Sequence, residues 1–422
     1  MVTIATIGAG GRGELYMTFV RMFRGRSAKI TALCDIAEQT LSDMGKKFGI
    51  PENMRFNSTE KFFAAGKLAD ALIIGTQDDS HVEIATAAIE AGYDILLEKP
   101  ISGNFEECVK LAALAKERGV RVVVCHVLRY SGYYKAIKNT IRDGVIGKVI
   151  SVNHTENIGY YHYAHSYVRG DWRNEAASTP ALLAKCCHDI DLIQWFMDKP
   201  AVSVSSLGRL NYFVRENAPA GATPYCMDGC TAKSGCIYDA EYHYLTVPAR
   251  KAKWIKYRTR KFTGKKDCTK EEVREAIAHG PYGRCVYMCD NDVCDNQTVS
   301  IDFGDGQTAQ HLMTAFSAEC FRQSHIVGTK GELIGYNNEL KLILFGQKPK
   351  KLVSKFTHLP GHTAGDIKTV TAFIDLLEGK LTDSEDVTFI EASLESHRII
   401  MAAEQSRKLD GELIKLEADS LR

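Results

Sequence analysis

The sequence predicts an α/β domain with a doubly wound parallel sheet, followed by an α+β domain with a large, mostly antiparallel, open-faced sheet. Short apolar segments alternate with amphipathic helical segments up to about residue 125, and a glycine-rich turn follows the first of them. Beyond residue 126, strand-like alternation dominates. A chain of 422 residues exceeds one ordinary core. We therefore expect one domain at 1–125 and a second at 126–422.

The first domain alternates strands and helices. Strands are predicted at 2–7, 30–34, 71–75, 95–98 and 120–125, with helices at 13–23, 36–48, 81–91 and 105–118. Short apolar strands separated by amphipathic helices are typical of a parallel sheet that is covered on both faces. Right-handed crossovers then give a doubly wound topology.

The second domain has a different texture. Strands are predicted at 149–154, 203–210, 298–303, 311–316, 324–327 and 340–344, with helices at 181–196, 366–378 and 390–407. Between them, residues 211–295 are irregular and rich in cysteine, glycine and lysine. Strands grouped apart from helices indicate an α+β domain, here with a Cys-rich insertion.

Composition excludes several classes of protein. Apolar residues make up 45% and charged residues 25%, as in soluble globular proteins. Lys and Arg total 53 against 52 Asp and Glu, so no overall field attracts nucleic acid or an anionic membrane. We interpret the basic stretch at 250–266 as a solvated surface. No apolar run spans a bilayer and no basic segment precedes an apolar one at the start, so we expect a cytoplasmic protein that binds neither membrane nor nucleic acid.

The glycine-rich turn predicts a dinucleotide-binding Rossmann domain. It fits G-x-G-x-x-G and comprises Gly8, Ala9, Gly10, Gly11, Arg12 and Gly13. The motif lies between a strand and a helix, where the first glycine permits the turn and the second admits the pyrophosphate. Asp35 ends the second strand 22 residues after Gly13, which suits hydrogen bonds to a ribose. A carboxylate there favours NAD, although Arg12 leaves NADP open.

Glu98-Lys99-Pro100 follows the strand at 95–98. Ligands bind at the carboxyl ends of strands in open parallel sheets, and Lys99 would lie there. One hypothesis is that Lys99 hydrogen-bonds a substrate hydroxyl. The other is that it is a solvated loop lysine.

Motifs along nearly the whole chain together resemble one family. They are Gly8-Ala9-Gly10, Asp35, Ile73-Ile74-Gly75-Thr76 with His81, Glu98-Lys99-Pro100, Gly147-Lys148-Val149, His188-Asp189-Ile190-Asp191 and Val327-Gly328-Thr329-Lys330-Gly331. The chain resembles the Gfo/Idh/MocA oxidoreductases, which include glucose–fructose oxidoreductase and inositol dehydrogenase. The resemblance implies hydride transfer between NAD(P) and a sugar or polyol. It also implies cofactor contacts at Thr76, His81, Glu98 and Lys99.

The resemblance implies that Lys99 and His188 line the active site. If the family chemistry holds, His188 is the expected base, because imidazole titrates near neutral pH, and Lys99 polarises the substrate oxygen. One departure stands out: many members have Asp four residues before this His, where the chain has Ala184 and then Lys185. We expect Lys185 to reach into the site as a third catalytic residue, the alternative being a solvated lysine.

An aromatic loop at 160–173 suits a sugar, which offers apolar faces and many hydroxyls. We expect His165, Arg169 and Trp172 to face the substrate. The alternative is that the loop serves packing or an oligomer contact. Further substrate candidates are Arg129, Tyr130 and His362.

The chain has thirteen cysteines, several of them crowded between Cys226 and Cys294. In a reducing compartment such crowding favours a metal over disulfides. The resemblance extends to a branch that has Ala-Lys at the same place and similar cysteines. We expect Cys226, Cys230, Cys236 and Cys289 to hold a structural zinc, with Cys285 as an alternative fourth ligand. An iron–sulfur cluster and free thiols remain alternatives.

We therefore expect an NAD-dependent sugar or polyol dehydrogenase or reductase. One alternative is redox-assisted glycoside cleavage through a transient keto-sugar, in which the cofactor is regenerated. Another is a non-enzymatic NAD-sensing regulator, which would need neither Lys99 nor His188. The resemblance also implies a homo-oligomer, a dimer or tetramer, formed through the open face of the second sheet.

Overall fold

The computed structural model describes residues 1–246, 259, 262–265, 268–353, 363–381 and 387–417. The candidate His362 and most of the basic stretch at 250–266 lie outside these ranges.

The first sheet is parallel. Its strands are β1 (Val2–Ile7), β2 (Ala28–Cys34), β3 (Arg55–Phe56), β4 (Ala71–Ile74), β5 (Asp94–Leu97) and β6 (Val122–Val124). Their order is β3-β2-β1-β4-β5-β6, so the strand order reverses between β1 and β4. The helices of this region are α1 (Gly11–Arg24), α2 (Glu38–Phe48), α3 (Thr59–Ala64), α4 (His81–Glu90) and α5 (Phe105–Arg118). This confirms the predicted doubly wound topology, whose ligand crevice opens beside β1 and β4.

The second sheet is mixed but mostly antiparallel. Its strands are β7 (Val149–Gly159), β8 (Ser203–Arg209), β9 (Asn296–Asp302), β10 (Thr308–Ser317), β11 (Phe321–Gly328), β12 (Gly331–Tyr336), β13 (Glu339–Leu344), β14 (Lys350–Val353) and β15 (Ile414–Lys415). They are ordered β14-β13-β12-β11-β7-β10-β9-β8-β15, and β7 pairs with β10 in parallel. The predicted α+β class is confirmed.

Further helices follow the first sheet along the chain. They are α6 (Gly132–Arg142), α7 (Tyr160–Tyr163), α8 (Ala181–Met197), α9 (Lys270–His279), α10 (Thr363–Leu377) and α11 (Ile390–Lys408). Two of them, α8 and α11, pack on the second sheet: α8 contacts β7 and β10, and α11 contacts β8 as well as α8 and α5. Several of these elements were not predicted from the sequence, among them α6, α9, β12 and β14. β12 contains two glycines, and β14 is short.

The other face of the second sheet is open, as predicted, and it carries both polar and apolar exposed side chains. Alternate residues of β9 and β10 are exposed on it, among them Thr298, Ser300 and Gln310. Exposed Ile334 and Tyr336 are apolar members farther along the sheet. The dimer or tetramer through this face stays a prediction.

The end of the chain returns to the first domain. Helix α10 packs on α1, and its residues Val370, Phe373 and Ile374 join the core cluster that contains Tyr16. Next to β6, the Val124 amide donates to the Thr388 carbonyl at 2.8 Å. The first domain is therefore completed by residues beyond the predicted boundary at 125.

No helix within the described ranges is both long and apolar enough to cross a membrane.

Candidate cofactor-binding and active site

The glycine-rich turn between β1 and α1 is closed by contacts that only glycine permits. Gly8 has φ +81°, and a Cβ there would lie 2.7 Å from the backbone of Gly75 and Thr76. At Gly13 a Cβ would lie 2.0 Å from the Gly8 carbonyl oxygen. At Gly10 a Cβ would meet open space. Gly8 and Gly13 therefore hold the strand and helix together, while Gly10 faces the side on which a ligand backbone can approach.

Asp35 follows β2 and fixes this turn. One carboxylate oxygen accepts from the Ala9 amide at 2.8 Å and the other from the Ala37 amide at 2.9 Å. The carboxylate thus lies beside the glycine-rich turn, where the sequence analysis expected it.

Arg12 belongs to an ion network behind the turn. Its guanidinium contacts Glu98 and Asp366, each at 2.6 Å, and also the Tyr16 hydroxyl. Burial alone would raise the pKa of Glu98, but the charges of Arg12 and Lys99 lower it below its usual range. Burial raises the pKa of Asp366, against the opposing charge of Arg12. Arg12 is therefore paired with acids rather than directed toward a ribose phosphate.

Lys99 joins the first sheet to helix α8. Its ammonium donates to the Ala184 carbonyl oxygen at 2.8 Å, and its backbone amide donates to Glu98 Oε2 at 3.0 Å. The Lys99–Pro100 peptide bond is cis, and His81 Nδ1 lies 2.7 Å from the Pro100 carbonyl oxygen. His81 is thus held in the core behind Lys99, while Lys99 reaches across to the helix that carries His188.

His188 lies on α8, one turn after Ala184, and is 5% exposed. Its ring stands edge-on to that of His126, with the centroids 5.9 Å apart. His126 is fully buried, and burial lowers its pKa to about 4. His126, which was not singled out from the sequence, follows the carboxyl end of β6 as Lys99 follows that of β5.

Two residues predicted to bind substrate, Arg129 and Tyr130, instead make polar contacts between elements of the fold. Arg129 donates to both carboxylate oxygens of Asp191, at 2.7 and 2.6 Å. The Tyr130 hydroxyl accepts from the Thr388 amide at 3.0 Å. Both side chains are buried. Their contacts assign them to the framework behind the site.

Lys185 faces the second sheet. Its ammonium contacts Glu156 at 3.0 Å, and Glu156 also contacts Arg322 at 2.9 Å. Burial alone would lower the pKa of Lys185, but the charge of Glu156 raises it above its usual value. Arg322 in turn binds Asp189 at 2.6 Å. Lys185 is therefore a partly buried, protonated member of an ion network, and its geometry does not suit proton abstraction.

His165 and Arg169 point into the Cys-rich insertion. His165 Nδ1 lies 2.8 Å from the Tyr244 hydroxyl. Arg169 donates to the Arg284 and Tyr238 carbonyl oxygens at 2.7 and 2.8 Å. These contacts anchor the insertion to the aromatic loop, so neither side chain is placed as the sequence analysis expected.

Trp172, the third residue expected from that loop, does reach the first domain. Its indole nitrogen donates to Asp78 Oδ2 at 3.2 Å. Burial raises the pKa of Asp78, although the nearby charge of Lys99 opposes this. Asp78 was not singled out from the sequence. The feature that could have indicated it is the position of an acid shortly after the end of β4.

The cysteines surround a small cavity, but the predicted metal site is not supported. Cys226, Cys230, Cys236 and Cys285 line the cavity, whereas the Cys289 thiol donates to the Cys285 carbonyl oxygen at 3.3 Å. Within the described ranges, no group of three or more His, Cys, Asp or Glu side chains is arranged to hold a metal. Burial raises the pKa of Cys236 and Cys285, and that of Cys289 to about 11. Cys289, one of the four predicted ligands, does not line the cavity, whereas Cys285 does.

Two family models match this chain. One, described as an oxidoreductase family with an NAD-binding Rossmann fold, covers residues 2–126. The other, described as the C-terminal alpha/beta domain of that oxidoreductase family, covers residues 138–415. The chain belongs to the Gfo/Idh/MocA oxidoreductase family.

Similar proteins agree with this assignment. The chain is 27% identical to the putative oxidoreductase YteT of Bacillus subtilis over 72% of its own length and 69% of that protein. It is 30% identical to the 1,5-anhydro-D-fructose reductase of Ensifer adhaerens over 41% of its own length and 50% of that enzyme. An inositol dehydrogenase homolog from Azotobacter vinelandii, solved with NAD+, has the same fold, with a TM-score of 0.71 and 16% identity over 98% of this chain and 97% of that one.

Proposed function

We propose that this Gfo/Idh/MocA oxidoreductase transfers a hydride between NAD and the CH–OH carbon of a sugar or polyol, with Lys99 and His188 as its catalytic residues. The observation that carries the proposal is the hydrogen bond from Lys99 to the Ala184 carbonyl. It brings the ammonium at the end of β5 to the helix that carries His188. The two groups needed to handle a hydroxyl are thereby placed on facing elements.

The residues at the glycine-rich turn fit a dinucleotide. Gly10 leaves the turn open, so the first amides of α1 would hold the pyrophosphate, and Asp35 beside the turn would accept from a ribose hydroxyl. NAD supplies the hydride acceptor when it is bound. Two residues favour NAD over NADP. The cation of Arg12 is paired with Glu98 and Asp366, and the carboxylate of Asp35 would repel a 2′-phosphate.

Lys99 and His188 have separate roles at the substrate oxygen. The Lys99 ammonium, anchored by the Ala184 carbonyl, hydrogen-bonds that oxygen and stabilises the charge that develops on it. The His188 imidazole takes the hydroxyl proton as the hydride leaves the same carbon. In the reduction direction His188 returns the proton, while Lys99 again hydrogen-bonds the oxygen. Lys185 has no part in this scheme because Glu156 neutralises it.

The test is absorbance at 340 nm with NAD and a panel of sugars, polyols and glycosides. We expect reduced cofactor to accumulate with at least one free sugar or polyol. His188→Gln should lower kcat by about 100-fold or more, the usual contribution of a general base. The control is His325→Gln, since His325 pairs with Glu332 on the second sheet, away from α8. Consumption of a glycoside without net reduction of NAD would instead support redox-assisted glycoside cleavage.

A further inference from the structure

A carboxylate and an indole meet where the two domains face each other. Asp78 lies in the turn after β4, and Trp172 lies in the loop between α7 and α8. Trp172 Nε1 donates to Asp78 Oδ2 at 3.2 Å. Both side chains are partly exposed, so the pair lies at a surface rather than in the core.

The topology of the first sheet places Asp78 in the same site as Lys99. β4 and β5 are parallel neighbours, with Ile74 opposite Leu97. The segments that follow these strands, 75–78 and 98–99, therefore leave the sheet at one edge. In agreement, the Lys99 ammonium exerts the largest charge effect that lowers the pKa of Asp78, although burial raises that pKa overall.

The loop that carries Trp172 is fixed by its neighbours. Arg173 contacts Asp290 at 2.9 Å, and the Glu175 amide donates to Asp292 at 2.8 Å. The indole ring packs against Tyr167 with the ring centroids 6.1 Å apart. The indole is thus held in place before any ligand binds, which reduces the entropy cost of binding.

We propose that Asp78 and Trp172 form the sugar-binding subsite of this enzyme, a proposal that rests on the proposed function. A sugar ring offers an apolar C–H face and hydroxyl donors around its edge. The exposed part of the indole covers such a face. Asp78 Oδ1, to which no residue in the described ranges donates, accepts hydrogen bonds from neighbouring hydroxyls. The carboxylate repels phosphate and carboxylate groups here, so the substrate is neutral at this end.

The test measures sugar binding without turnover. Enzyme loaded with NADH is titrated with myo-inositol, monosaccharides and methyl glycosides, and saturation-transfer NMR reports the ring protons in contact. Asp78→Asn should weaken binding of the bound sugar by about 10-fold or more, the effect of losing one charged hydrogen bond. NADH affinity, followed by its fluorescence, should not change. The matched control is Asp79→Asn, because Asp79 is the exposed neighbour and should bind as the wild type does.

The indole is tested by two further variants. Trp172→Phe keeps an apolar ring but loses the donor, and Trp172→Ala loses both. We expect sugar affinity to fall in the order wild type, Trp172→Phe, Trp172→Ala, with thermal melting showing that each variant is folded. The Phe variant keeps the test usable if the Ala variant does not fold.

Several outcomes would overturn the subsite. Equal sugar affinity in Asp78→Asn and Asp79→Asn would do so, as would a loss of NADH affinity in Asp78→Asn or the absence of ring-proton signals for every compound with the wild type. The proposed function fails separately. A sugar that binds through Asp78 without reducing NAD would refute hydride transfer and leave the subsite standing.

Discussion

The Lys99 ammonium is anchored by an uncharged partner, the carbonyl oxygen of Ala184, at 2.8 Å. A carbonyl fixes the position of the amine without cancelling its charge. The adjacent acid, Glu98, contacts Arg12. The positive charge of Lys99 is therefore available to a substrate oxygen.

Replacing Lys99 by Met should lower kcat/KM by about 100- to 10,000-fold, because the variant keeps the length of the side chain but removes its charge and donor. A Lys99→Met enzyme with wild-type kcat/KM would contradict the assignment. Lys110→Met is the control, because Lys110 lies exposed on α5.

Asp35→Asn should relax the preference for NAD over NADP by about 10-fold, which corresponds to about 1.4 kcal/mol. The amide keeps an acceptor for the Ala9 or Ala37 backbone but no longer repels a 2′-phosphate. The measurement is the ratio of kcat/KM values for the two cofactors.

Arg12→Lys is the companion variant for cofactor preference. Its cation remains near Glu98 and Asp366, so the ratio should stay as in the wild type. A large shift toward NAD in Arg12→Lys would show that Arg12 binds the cofactor after all.

Lys185→Met should destabilise the fold by about 3 kcal/mol, since removing one partner of a buried ion pair leaves a poorly compensated charge. Arg322 still contacts Glu156 and limits the loss. Urea denaturation measures the change, and Lys185→Arg should recover most of it. In the folded variant, the pH profile of kcat/KM should match the wild type. A folded Lys185→Met enzyme of unchanged stability that lacks activity would restore a catalytic role.

The free energy of unfolding should fall as the pH is lowered from 6.5 toward 4. Burial lowers the pKa of His126 and of His311 from 6.5 to about 4. Within this window the unfolded chain binds protons that the folded chain excludes, so stability decreases as the pH falls. Each histidine contributes on the order of 3 kcal/mol at most.

His311→Gln isolates one part of that effect. It keeps a donor toward the His154 carbonyl oxygen, which lies 3.1 Å from His311 Nδ1, but no longer titrates. Urea denaturation at pH 7 and pH 5 should give a smaller difference for this variant than for the wild type. An unchanged difference would show that His311 is not excluded from protonation.

The parts of the site that the sequence predicted depend on neighbours within one turn or one strand. Gly8 and Gly13 were predictable because the close approach is dictated by the strand–turn–helix itself. Lys99 followed from its place at a strand end and from the family resemblance. His188 followed from the resemblance alone.

The parts that it did not predict depend on which groups the tertiary fold brings together. Arg12 donates to Asp366, 354 residues away in the sequence, and Trp172 donates to Asp78, 94 residues away. Lys185 has Asp189 four residues further along its helix, but Asp189 pairs with Arg322, and Lys185 instead contacts Glu156 from β7. A buried charge takes whichever partner offsets its desolvation, and local patterns do not carry that information.

The return of α10 to the first domain has a consequence for synthesis on the ribosome. The chain grows from its amino end, so residues 1–125 emerge well before Phe373, Ile374 and Val387. Until then, the apolar surface of α1 that these residues cover stays open to water. The nascent first domain is therefore exposed to chaperones and proteases until α10 has been synthesised. A chain released before residue 363 should be degraded or aggregate instead of accumulating as a free nucleotide-binding fragment.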